Sequence, residues 1–155
     1  MKRILRIIAS VLALSLMFVF LACNVFAAST GISGQWRGNS NGTTISSPFA
    51  VLENKNISVS SELVLAIDSG TAAHTVTAKV FLRRSTWYGY ETVMTQTLYN
   101  GVSMSNTSTS IDYERCSYTS STTAPATGEY YVVGQIKGAS NAFASQFSGT
   151  VTYST

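Results

Sequence analysis

The sequence predicts an all-β protein, a single antiparallel β-sandwich of about six to eight strands behind an N-terminal signal peptide helix. Three observations carry this. β-Branched and aromatic residues recur in short alternating runs, separated by Gly, Asn and Ser. No stretch beyond the N-terminal segment keeps apolar residues at the i, i+3, i+4, i+7 spacing of an amphipathic helix. Turn signals return every 8–12 residues or so, the rhythm of a sandwich or barrel.

Residues 1–27 read as a secretory signal peptide. Lys2, Arg3 and Arg6 form a positive start, and residues 7–22 are an unbroken run of 16 apolar and small residues. Val25 and Ala27 supply the small residues for a cut between Ala27 and Ala28. A membrane-spanning anchor needs about 20 apolar residues, so a cleaved signal fits better. A lipoprotein signal is the third reading, with Phe20-Leu21-Ala22 before Cys23 and an acyl anchor on that cysteine. The expected division is therefore a signal over 1–27, a flexible leader over 28–34 and a sandwich domain over 35–155.

The strands follow in order. Gly34-Gln35-Trp36-Arg37 opens an edge strand, and Asn41-Gly42 suits a turn with positive φ. A second strand lies near 43–49, where Pro48 points to an edge or a strand end. Residues 62–68 hold the apolar cluster Leu63-Val64-Leu65-Ala66-Ile67, and Asp68-Ser69-Gly70 turns the chain. Residues 75–84 alternate most clearly. Val76, Ala78, Val80 and Leu82 face one way; Thr75, Thr77, Lys79, Phe81 and Arg83 face the other. Strands near 90–99 and 108–116 follow, with Asn100-Gly101 as a turn between them. The Ser/Thr-rich tract 118–127 reads as a long loop. Residues 129–137 and 141–153 close the chain as strands. The expected core is Leu65, Val76, Val80, Leu82, Ile111, Tyr130, Val132, Phe147 and Val151.

Ala126-Thr127-Gly128-Glu129-Tyr130 resembles the turn into the sixth strand of immunoglobulin-like and fibronectin-type sandwiches. There a Gly two residues before a Tyr lets the chain cross between sheets, and the Tyr hydroxyl bonds back to the backbone. The resemblance implies that Tyr130 is such a corner residue. The second cysteine of antibody domains would fall at Val132 and is absent, so the likeness is to disulfide-free modules. It speaks to fold far more than to activity.

Charge and cysteine content exclude several functions. Three of the ten basic residues lie in the signal, which leaves seven basic and seven acidic residues after position 27. A net-neutral domain has no basic stripe for nucleic acid and no electrostatic reason to dock on anionic membranes. With Cys23 removed, Cys116 is the only cysteine. No intramolecular disulfide can form, and Cys116 reads either as a small buried strand residue or as a thiol paired between chains.

Catalytic signals are sparse. His74 is the single histidine, with no HExxH, CxxC or G-x-S-x-G motif, so no metal site, cofactor or nucleophile is expected. Asp112 and Glu114 share one side of a strand, about 7 Å apart by strand rise, in a polar setting that suits a solvated face better than a glycosidase pair. Arg115, Arg83 and Arg84 suit cross-strand ion pairs.

The remaining cluster is Trp87-Tyr88-Gly89-Tyr90. A hairpin connection ordinarily holds Asn, Asp or Gly, yet here three of four residues are large aromatics. Two readings stay open. The rings fold over the end of the sandwich and cap the core, or they stand out as a platform for a sugar ring or a protein partner. The function expected is a small secreted, non-catalytic binding module, with cell-wall polysaccharide or a protein as partner. A secreted toxin-like effector and a small hydrolase are the alternatives.

Overall fold

The computed structural model describes residues 27–155. The signal reading, apart from Ala27 itself, and the lipidation site at Cys23 lie outside the described residues. Nine strands follow: β1 (Ala27–Arg37), β2 (Ser40–Thr44), β3 (Phe49–Val51), β4 (Asn56–Ile67), β5 (Thr71–Thr86), β6 (Gly89–Asn106), β7 (Asp112–Thr123), β8 (Gly128–Lys137) and β9 (Phe143–Ser154). No helix occurs among the described residues.

The strands form two antiparallel sheets. Sheet A runs β1-β9-β4-β7, and sheet B runs β2-β8-β5-β6, with β3 also on β8. Pro48 sits in the gap between β2 and β3, which together occupy one edge position. A proline has no N–H for a ladder, so the strand breaks there. Ser46 bridges the break, its Oγ accepting the Val132 N–H at 2.9 Å.

This order is that of a jelly roll, two four-strand layers with the first and last strands adjacent in one sheet. It corrects the immunoglobulin-like expectation. In that fold the last strand belongs to the same sheet as the strand before it. Here β9 crosses to sheet A and inserts between β1 and β4. The corner itself is present. Tyr130 is fully buried and its Oη donates to the Ala126 carbonyl at 2.5 Å. The likeness misled because the corner is a local solution for a chain arching from one sheet to the other, and the β7–β8 arch poses that same local problem.

Burial follows the alternation. In β5, Val76, Ala78, Val80 and Leu82 are buried; in β9, Phe143, Phe147 and Val151 are. Leu65, Tyr130 and Val132 complete the expected core. Ile111 does not join it: it precedes β7 in a polar loop and is 51% exposed. A polar cluster centred on Gln96 lies between the sheets. Gln96 of β6 donates to the Val59 carbonyl at 2.7 Å and to Ser120 Oγ at 2.9 Å, and accepts from Ser61 Oγ at 2.6 Å. Its amide is satisfied, so its burial carries no unpaired-group penalty and ties β6 to β4 and β7.

Three further expectations change. Residues 28–34 are not a flexible leader but part of β1, paired with β9 from Ala28↔Tyr153 to Gly34↔Phe147. Only Ile32 of β1 is fully buried, so backbone pairing rather than apolar burial holds this segment. Most of the tract 118–127 is strand too, because β7 runs to Thr123 against β4. Asn100-Gly101 is not a turn but a bulge within β6. Gly101 takes φ of 65° and its N–H donates to Thr77 Oγ1 at 3.1 Å while the register against β5 shifts. Gly149 is required for a different reason: it takes φ of 147°, and a Cβ there would lie 2.1 Å from the Ser60 carbonyl oxygen of β4.

Candidate functional site

β5 and β6 are the one pair of consecutive strands that form a hairpin in this sandwich; every other successive pair is unpaired or divided between sheets. The hairpin closes at Thr86↔Gly89, leaving Trp87 and Tyr88 as a two-residue loop. Gly89 supplies the positive φ, 134°. Trp87 is 95% exposed and Tyr88 70%, and their rings meet edge to face at 5.1 Å. Tyr90 is also exposed. The capping reading of Trp87 and Tyr90 is thereby corrected. The hairpin outruns the layer beneath it, so the loop projects past the core instead of bending over it.

The aromatic tip continues onto the outer face of sheet B. The Arg83 guanidinium lies over the Tyr90 ring at 3.9 Å and near the Phe81 ring at 5.2 Å. Tyr131 pairs with Arg83 on the β8 side and Thr92 pairs with it on the β6 side. Cation–π stacking uses the face of the guanidinium and leaves its edge donors free. Sequence reasoning named Tyr131 among the tyrosines that could extend the aromatic surface, but did not assign Arg83 and Phe81 to the site. A signal existed, since alternation along 75–84 already puts Phe81 and Arg83 on one face.

Arg84 is engaged elsewhere. It pairs with Glu91 at 2.7 Å. Beside it, Ala50, Val51, Leu52, Thr127, Gly128 and Thr155 line an apolar cleft of about 380 Å³. Tyr130 faces Arg84 and Gly128 faces Val51, so cleft and hairpin share one end of the sandwich.

The other sequence candidates are dispersed. His74 is half-buried and packs edge-on against Phe143 at 5.5 Å. Asp112 and Glu114 lie exposed on edge strand β7, where Asp112 Oδ1 accepts the Tyr113 N–H at 2.8 Å. Arg115 pairs with Glu62 across to β4 at 3.6 Å. Cys116 is free and half-buried, its Sγ donating to the Leu98 carbonyl at 3.2 Å. No group of three or more His, Cys, Asp or Glu side chains that could hold a metal ion occurs among the described residues. Tyr113 and Tyr118 stand exposed on β7, which belongs to sheet A, whereas the hairpin belongs to sheet B. Tyr153 stacks on Phe49 at 4.6 Å.

A second concavity, which sequence reasoning did not find, lies on the outer face of sheet A. Gln35, Arg37, Val64, Ala66, Tyr113 and Gln146 are among the residues lining this groove of about 480 Å³. Its floor is low because Ala66 and Ala144 pair side by side there. Arg37 at its rim is held by Asp68 Oδ2 at 2.8 Å, and that bond, with the Asp68 charge, raises the Arg37 pKa.

Fold and site together define a small β-sandwich with an aromatic hairpin tip. No protein-family profile matches the chain, and no curated protein matches it. Among solved structures it is similar to the VP2 protein in the subviral particle of infectious bursal disease virus, with a TM-score of 0.45 and 11% identity over 83% of this chain and 32% of that one. The Gx strain structure of the same virus gives 0.45 and 13%, over 82% and 32%. The Gt strain gives 0.41 and 13%, over 82% and 31%. The chain thus spans about a third of those proteins. The likeness is one of fold.

Proposed function

We propose that this protein is a small secreted, non-catalytic binding module that engages a polysaccharide or protein partner through the aromatic tip of the β5–β6 hairpin. One observation carries the reading: Trp87 is 95% exposed at the end of the β5–β6 hairpin, beside an exposed Tyr88. Leaving a large apolar side chain in water forgoes about 1.5–3 kcal/mol of burial, and a partner that covers it recovers that stabilisation. Exposed, rigid Trp and Tyr side chains are the residue types that dominate binding energy at interfaces and stack on flat rings. Export of the module rests on the charged and apolar N-terminal segment.

Trp87→Ala tests it. The melting temperature is expected to stay within about 2 °C, since a surface substitution stays within roughly 0.5 kcal/mol. Retention on cell-wall polysaccharide or on a captured protein partner should fall at least about tenfold. Clear destabilisation, or binding unchanged by the substitution, would remove the tip from the function.

A further inference from the structure

We infer that the hairpin-tip site takes an acidic polysaccharide, with Arg83 as the carboxylate-binding group; the inference rests on the tip being the binding site. Among the described residues, Arg37, Arg84 and Arg115 each have a carboxylate partner, at 2.8, 2.7 and 3.6 Å. Arg83 has none. Its Nε is buried without a hydrogen-bond partner, and its guanidinium is held by the rings of Tyr90 and Phe81. A stacked guanidinium is fixed in orientation and its edge still presents paired N–H donors, a fork that matches a carboxylate.

The net charge of the outer face has the same sense, although the outward charge nearest to Arg83 in register is Glu129. The outward positions of β5 and β8 carry Lys79, Arg83 and Lys137 against Glu129. Glu129 makes no ion pair with Arg83. Beyond position 27 the chain is charge-balanced, so this face is positive at the expense of the rest. Electrostatic complementarity of this kind selects a partner by sign.

The occupant is a chain of sugar rings rather than one small anion. Arg83 and Trp87 are four residues apart on an extended hairpin, about 13 Å by strand rise. A ligand that meets both the guanidinium and the indole therefore extends over that span. Ser85 and Thr92 lie along it and offer hydroxyls. Nucleic acid fits less well. Its affinity rests on a row of cations that neutralises several phosphates at once, and of the cations facing this surface only Arg83 lies within the span from guanidinium to indole.

Binding of the full chain to polygalacturonate, and to the same polymer fully methyl-esterified, decides the matter. Esterification removes the charge and keeps the rings. The acid form should bind at least about tenfold more tightly. Arg83→Gln should reduce binding of the acid form to the level of the ester. Arg83→Lys, which keeps the charge without the planar fork, should retain part of the preference and shows that the site still folds. Arg115→Gln removes one positive charge from the opposite sheet and should change nothing. Trp87→Ala should weaken both polymers alike.

The inference is overturned if polygalacturonate fails to bind. It is overturned equally if Arg83→Gln leaves the acid preference intact, if Arg83→Gln and Arg115→Gln lose it to the same degree, or if oligothymidylate of equal charge binds more tightly. Loss in Trp87→Ala without loss in Arg83→Gln would keep the aromatic tip and reject Arg83. No loss in either would reject both.

Discussion

On sheet A, away from the groove beside Val64 and Ala66, two outward rows read Ser29–Thr152–Ser58–Ser121 and Gly31–Thr150–Ser60–Thr119. On sheet B they read Tyr131–Arg83–Thr92 and Val133–Phe81–Thr95. The first set is short and hydroxylic. Ser121 donates to Ser58 at 3.0 Å and Thr119 to Ser60 at 3.1 Å, and water satisfies what remains. The second set places rings and a stacked cation where solvent gains little from them. Both sheets obey the same alternation, and their inward faces meet in one core. The requirement to bury apolar area thus fixes the inner faces and leaves the outer faces free. That difference is what the proposed binding surface on sheet B and its hairpin rests on.

The comparison breaks first if the two inner faces are not equivalent. Phe147→Ala in sheet A should cost about 3–5 kcal/mol, and Leu82→Ala in sheet B about 2–5, in urea unfolding. Both side chains are buried, and Phe147 also holds Trp36 edge-on at 5.3 Å. A cost under 1 kcal/mol for either would mean that its sheet is not held by the shared core.

Tyr130→Phe probes the arch that joins the sheets. It removes the hydroxyl bonded to the Ala126 carbonyl and should cost about 1–2 kcal/mol. No loss of stability would show that the backbone closes the arch without the phenol.

Tyr99→Phe should act in the opposite direction. The Tyr99 hydroxyl is buried without a partner, so its removal should stabilise by up to about 1 kcal/mol. Burial, with the nearby Cys116 and Glu114, pushes the Tyr99 pKa from 10.0 up to about 12. The folded state thus favours the neutral phenol. Its contribution is full below pH 10 and is lost as pH rises to about 12. Tyr130, also raised mainly by burial, adds to the same alkaline loss. A melting series from pH 9 upward should therefore fall less steeply in Tyr99→Phe than in the parent. Equal slopes would assign the alkaline loss elsewhere. The smallest effect on stability belongs to Trp87→Ala, and it sharpens the contrast, because the same change is expected to weaken binding at least about tenfold.

Legibility varied along the chain with the contrast between the two faces of each strand. β5 and β9 alternate large apolar with polar or small residues and β8 is strongly apolar, and the sequence placed their cores correctly from Val76 to Leu82, at Tyr130 and Val132, and from Phe143 to Val151. β1 buries only Ile32, and no residue of β7 is fully buried. Ser and Thr serve turns as readily as strands, so 28–34 read as a leader and 118–127 as a loop. At Asn100-Gly101 the local chemistry was read correctly and its setting was not: positive φ serves a bulge as well as a turn. The aromatic loop Trp87-Tyr88 was visible because it departs from what a hairpin connection ordinarily holds.

By itself, then, the sequence determined the all-β class, the inward positions of the strongly alternating strands, the hairpin at Trp87-Tyr88 and the local corner at Tyr130. Each of these depends on residues within one strand or one turn of each other. The tertiary structure alone decided that β9 lies between β1 and β4, that β1 reaches back to Ala27, that Trp87 stands clear of the core, and that Arg83 rests on Tyr90 without a carboxylate. Those outcomes depend on segments as far apart as Ala27 and Ser154, which pair directly. Periodicity reports which way a side chain points. Which strand lies beside it is set by burying all the apolar faces and pairing all the backbones at once.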